Sequence, residues 1–313
     1  MKIFFLFLSL LTLIEAREIK PVYKFKAVGF VNDFCISDDK IYIASDAGIV
    51  DVYDIKSKKL LEQIILKPLV TGQGTIVDSV ISSVDVMNNK VLITSTTMSG
   101  YRNVWLYENH RLKLLVDESK KLTIKEARFT SDSKIMLSTL DADVILQDLD
   151  ESYNVYRTHI SNSIIGDYQL STDKKSMAIA DESGSVTIVN VSDSKVIKKP
   201  TPQNLDNIFH IAYANDTVLT AGQDMRVGVY PNFSKPYYIE TDFLVYCVGL
   251  NPSASVGVYT SGEENVLQLF NPQTKKKLYR LIGHKGIVNQ IKFTAEREFY
   301  SSDRSNNVYF WKF

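Results

Sequence analysis

Asp303-Arg304-Ser305-Asn306-Asn307-Val308-Tyr309-Phe310-Trp311 is a polar turn followed by a short alternating strand that ends on an aromatic residue. The same unit recurs upstream, as Gly262-Glu263-Glu264-Asn265-Val266-Leu267-Gln268-Leu269-Phe270, Gly222-Gln223-Asp224-Met225-Arg226-Val227-Gly228-Val229-Tyr230, Glu182 to Val189 and Asp141 to Gln147. Two more copies run from Gly100 to Tyr107 and from Ser45 to Tyr53. Their last residues, Tyr53, Tyr107, Gln147, Val189, Tyr230, Phe270 and Trp311, are spaced by 54, 40, 42, 41, 40 and 41 residues. A period of about 40 to 45 residues with several short strands per unit is that of four-stranded blades, because so small a sheet buries both faces only when neighbours stack on it. Seven units predict an all-β, seven-bladed β-propeller.

Each unit is preceded by two further strand-like runs, as in Val31 to Ile36 with Lys40 to Ala44, or Ile287 to Phe293 with Glu298 to Ser301. A fourth, outer strand follows, for example Lys59 to Ile65. The sequence stops at Phe313, two residues past Trp311, so the seventh unit has no outer strand of its own. The segment Ile19 to Phe25 is expected to supply it, closing the ring and covering strand edges that would otherwise template association.

Lysine plus arginine equal aspartate plus glutamate at 36 each, and this neutrality argues against nucleic acid or an anionic membrane as the main partner. Lys2 followed by the apolar run Ile3 to Ile14 and the small Ala16 reads as an export signal over residues 1–16, leaving a single domain from 17 to 313. The run is too short to span a bilayer, which needs about 20 residues. A soluble periplasmic product without a stable membrane anchor, acting as a monomer, is expected. Cys35 and Cys247 both sit in strand-like runs and read as buried core thiols, a disulfide being the minor alternative.

The last repeat, Gly283-His284-Lys285-Gly286-Ile287-Val288 through Trp311, resembles a WD repeat, whose marks are a Gly-His pair and a terminal Trp-Asp. Lys312 replaces the terminal Asp, and Ser305 stands six residues before Trp311 where the family's turn Asp is expected. Asp224 holds that position in the fifth blade, but no Gly-His precedes it, so the family's His-Ser-Asp-Trp hydrogen-bond network is expected to be incomplete in every blade. The signal segment followed by Glu18-Ile19-Lys20-Pro21, Val31-Asn32-Asp33-Phe34, Ile41-Tyr42-Ile43-Ala44, Gly48-Ile49-Val50 and Ser57-Lys58-Lys59 further resembles the exported L-type WD-repeat accessory protein of periplasmic nitrate reductase systems. That resemblance implies a noncatalytic accessory or assembly partner of a molybdenum enzyme, with a subunit of that enzyme as its protein partner.

Chemistry-bearing motifs are sparse. His110, His159, His210 and His284 fall in four blades without metal-ligand spacing, His284 reading as the Gly-His loop residue and the others as turn residues. There is no Gly-x-Ser-x-Gly elbow, and Gly72-Gln73-Gly74 is only a fragment of a phosphate loop. Acidic turns such as Asp38-Asp39, Asp141 to Asp143 and Glu263-Glu264 read as turn geometry ahead of calcium binding. No catalytic, metal or cofactor site is expected. Asn190, Asn215 and Asn232 begin glycosylation triplets, Asn232 in the most open loop.

The long interval places about 13 extra residues around Lys67 to Ser79, on the connection from one outer strand to the next inner strand. Gln73, Thr75 and Asp78 from this insertion, with Tyr101, Arg102, Asp224, Arg226, His284, Lys285 and Arg304, are the candidate protein-docking residues, a set rich in the Arg and Tyr that anchor interfaces. The competing function is a propeller enzyme, a lactonase or quinone-dependent dehydrogenase, whose polar ligands converge on the central channel.

Overall fold

A computed structural model describes residues 18–313, and the expected leader, residues 1–16, lies outside them. Seven small sheets stand in a ring, making a seven-bladed β-propeller. In blade one the strands Val31–Ser37, Lys40–Ser45, Ile49–Asp54 and Leu60–Ile65 pair antiparallel in chain order from the channel outward. The inner strands of blades two to seven are Ile81–Met87, Ile124–Ser131, Ile165–Leu170, Ile208–Ala214, Val248–Leu250 and Val288–Ala295.

The core is a set of seven layers, one between each pair of blades. Between blades one and two, for instance, Val50, Val52 and Ile64 pack on Ile81, Val84 and Ile93. No blade owns a complete core, so the apolar surface is hidden only when the ring is whole.

Closure falls on the N-terminal segment as expected, over a narrower span. Tyr23–Lys26 runs antiparallel to Asn307–Lys312, with Phe25 opposite Val308, and supplies the outer strand of blade seven. Glu18–Ile19 lies on a different sheet, parallel to Lys277–Leu281 on the rim of blade six. Pro21 separates the two pieces because it has no N–H for a ladder. Its ring passes so close to Gly283 that a Cβ there would sit 2.9 Å from Pro21 Cδ, and Gly283 holds φ +145°, so the glycine of the Gly-His pair is needed on both counts.

Phe25 is 2% exposed and packs on Tyr53 of blade one and Tyr300 of blade seven. Phe25→Ala is expected to cost about 3–5 kcal/mol in denaturant unfolding, against a near-neutral Val22→Ala, a residue 61% exposed. A Phe25→Ala variant as stable as the parent would show that the ring does not depend on its closing strand.

Candidate functional site

In blade seven Trp311 Nε1 donates to Ser301 Oγ at 2.7 Å, Ser301 Oγ meets His284 Nε2 at 2.7 Å, and His284 Nδ1 meets Asp303 Oδ2 at 3.0 Å. The His-Ser-Asp-Trp network is therefore complete in this blade, against the expectation from sequence. The acid stands eight residues before Trp311, at the end of the strand Glu298–Asp303, because the turn that follows is longer than the fixed spacing assumed. Burial pushes the Asp303 carboxyl up, but the hydrogen bonds from His284 and Ser305 leave it below its ordinary value. Blade five builds the same arrangement from other residues. Thr220 Oγ1 donates to Asn204 Oδ1 at 2.5 Å and Asn204 Nδ2 donates to Asp224 Oδ1 at 2.9 Å, beside the fully buried Tyr230.

These networks lie on the end of the ring where outer strands return to the next inner strand. The middle-strand turns share that end: Asp46 N–H donates to Phe30 O, Leu140 N–H to Thr123 O, Glu182 N–H to Ile164 O and Arg304 N–H to Ile287 O. All ten candidate docking residues belong to this loop face, but they fall into separate groups. Gln73, Thr75 and Asp78 are exposed on the hairpin formed by Leu69–Val70 and Ile76–Val77, while Tyr101 and Arg102 are half-buried on blade two. Arg226 lies over the Tyr238 ring at 4.2 Å, and Lys285 and Arg304 are exposed on the blade-seven side. The His284 side chain is fully buried and Asp224 is spent on Asn204 and the Leu205 N–H, so these two support the face from beneath.

Sequence reasoning missed the apolar character of this face. Val28, Phe30, Val70, Ile76 and Met98 are exposed on its loops, as are Leu140, Ile164, Leu205 and Met225. On the opposite face, Tyr153 is exposed in a turn, and Leu60 and Val196 are exposed where outer strands begin. Each was visible as a hydrophobe beside a turn, but only the fold shows that they share a side.

The second region missed is the channel. Aligning the inner strands puts Asp33, Ser83, Glu126, Asp167, His210, Cys247 and Gln290 at one level, a signal available to anyone who superposes the repeats. His210 is thus a buried inner-strand residue, where sequence suggested a turn. Asp33 accepts from Arg128 Nη1 at 2.8 Å, Lys292 Nζ at 2.7 Å and the Val84 N–H at 3.0 Å, and Arg128 Nη2 reaches Glu126 at 2.6 Å. Burial would raise the Asp33 carboxyl, but the charges of Arg128 and Lys292 overcome it and hold the group at about 2. Glu126 differs, for burial lifts it to about 7 against the pull of Arg128, with the Asp167 charge adding to the rise. Burial lowers His210 to about 4.

A cavity of about 500 Å³ opens beside these groups toward the face opposite the loops, lined by Gln169, His210, Ala212, Gln290 and Lys292 among others. Its cations are tied to Asp33 and to main-chain carbonyls, and burial pushes the Cys35 thiol up to about 12, so that thiol is a poor nucleophile at neutral pH. Among the described residues no three His, Cys, Asp or Glu side chains are placed to hold a metal ion. Cys35 and Cys247 are free thiols, as the sequence reading favoured.

Two opposed titrations predict an unusual pH response. Glu126 keeps its proton in the fold from its ordinary 4.5 up to about 7, which lowers stability as pH rises through that window. His210 refuses a proton in the fold from its ordinary 6.5 down to about 4, which lowers stability as pH falls. Between about 4.5 and 6.5 the slopes cancel. Urea titrations should show Glu126→Gln gaining stability with rising pH in this window and His210→Asn losing it; two parallel, flat profiles would contradict the assignment. No family model matches this chain, and no curated protein matches it.

Proposed function

We propose that this chain is a noncatalytic protein-binding propeller of the WD-repeat type, exported to the periplasm, where it serves a periplasmic nitrate reductase as an accessory or assembly factor. The observation that carries the docking reading is the uneven exposure of large apolar side chains, nine on the loop face against Tyr153, Leu60 and Val196 on the other. Apolar side chains left open to water are costly, and where a partner gathers them into one patch they mark an interaction surface. The inserted hairpin, with Val70 64% and Ile76 71% exposed, raises two such side chains above the blades. The nitrate reductase assignment rests on the sequence resemblance alone.

The cavity supports a second reading, a propeller enzyme with a ligand in the channel. His210 Nδ1 is buried there without a hydrogen-bond partner, the kind of orphaned group a bound molecule would satisfy.

Affinity capture from a periplasmic extract separates the two readings. Parent protein is expected to retain a nitrate reductase subunit, and Ile76→Asp with Met98→Asp is expected to lose it while stability stays within about 0.5 kcal/mol. Capture unaffected by those substitutions would move the interface off the loop face, and co-purification of a quinone or metal with no protein partner would favour the enzyme.

A further inference from the structure

We infer that a second copy of this chain is an occupant of the loop face, the two rings meeting face to face about a two-fold axis. The inference rests on the docking reading of this face and names a partner for it, in place of the monomer the sequence suggested.

The loop face is divided electrically. On the loops of blades three to six, Asp141, Glu182, Asp206, Asp242, Glu263 and Glu264 are exposed, and Lys199 is the one exposed base among the described residues there. On the remaining loops the balance reverses, with Lys67, Lys120, Lys121, Lys285 and Arg304 exposed against Asp78 and Asp117. Each half also carries apolar side chains open to water, Leu140, Leu205 and Met225 on the acidic side and Phe30, Ile76 and Met98 on the basic side.

A face of that kind is complementary to itself. A two-fold axis lying between two such faces, along the line that divides the halves, turns one ring over and sets acidic half on basic half twice. Isologous contact of this sort is the commonest form of protein self-assembly. Any other partner would need to present both charge halves in the matching arrangement, whereas a second copy does so by symmetry. The opposite face carries a smaller apolar component, Tyr153 in a turn with Leu60 and Val196 where outer strands begin. Pairing also hides an apolar surface that a free monomer would leave in water. A heterologous partner of the loop face then competes with the second copy for one surface.

Sedimentation equilibrium of the purified chain tests this with two charge-reversed variants. One carries Lys120→Glu, Lys285→Glu and Arg304→Glu, reversing three of the five exposed bases of the basic half; the other carries Glu182→Lys, Glu263→Lys and Glu264→Lys, reversing three of the six exposed acids of the acidic half. Six exposed turn positions are altered, and matching thermal melts show that folding is intact. Parent protein is expected to dimerise, more weakly as salt rises. Each variant alone is expected to lose at least about tenfold in self-association, and an equal mixture of the two is expected to recover it as a heterodimer. Parent protein that stays monomeric, or variants that dimerise as well alone as mixed, would overturn the inference. In that case, capture of another protein lost on Ile76→Asp would still uphold the docking reading, and failure of both would remove it.

Discussion

The free edge of the innermost strand is the constraint on which the ring depends. Each inner strand has a partner on its outer side only, so its channel-facing N–H groups must be met by something that is neither sheet nor bulk water. Side chains of the preceding blade meet them. Asp33 accepts from Val84, Asp167 from Ile211, Asp85 from Phe129, and Gln169 from Tyr213, all at 2.7 to 3.0 Å. Every such bond crosses a blade boundary. At the boundary between blades seven and one, where residues 27–30 link the closing strand to Val31, Asn289 Nδ2 donates to Val31 O and Lys292 Nζ reaches Asp33 and Phe34 O. The channel charges are in this sense the inner counterpart of the closing strand Tyr23–Lys26.

That role explains why ionisable groups can stand at the centre of the ring. A buried carboxylate is expensive unless paired and hydrogen-bonded. Asp33 has two cations and a main-chain N–H, and ionises readily; Glu126 shares Arg128 with it, and burial delays its ionisation to about 7. Removing Arg128 would leave Asp33 with Lys292 alone and Glu126 without its ion-pair partner. The cavity beside these groups lies toward the face opposite the loops, so the apolar loop face and the polar channel are separate features of one ring.

The repeat spacing carried the blade count, and the shortage of strands in the last unit pointed to the N-terminal segment. What escaped was three-dimensional. Pro21 splits that segment between two blades, which the apolar pattern of Ile19 to Phe25 does not reveal. The network acid of blade seven is Asp303, displaced from the position that counting back from Trp311 gives, because turn length varies while strand pairing does not. Asn204, Thr220 and Tyr230 build the same network in blade five without sharing a residue type with His284, Ser301 and Trp311. The ten candidate docking residues share the loop face because turn position is legible in the repeat, but residue type alone does not reveal that Asp224 and His284 are spent on loop geometry. The apolar residues of that face went unremarked because a lone Met or Leu in a turn carries no information until the turns are seen together.

The central claim is that blade-to-blade hydrogen bonds at the channel hold the ring as one cooperative unit. Native-state hydrogen exchange at the Val84, Phe129, Ile211 and Tyr213 amides tests it most directly. The account predicts that these edge amides exchange only through global unfolding, with protection equal to that of amides inside the sheets. Exchange at the rate of open, solvent-facing edge strands would contradict it.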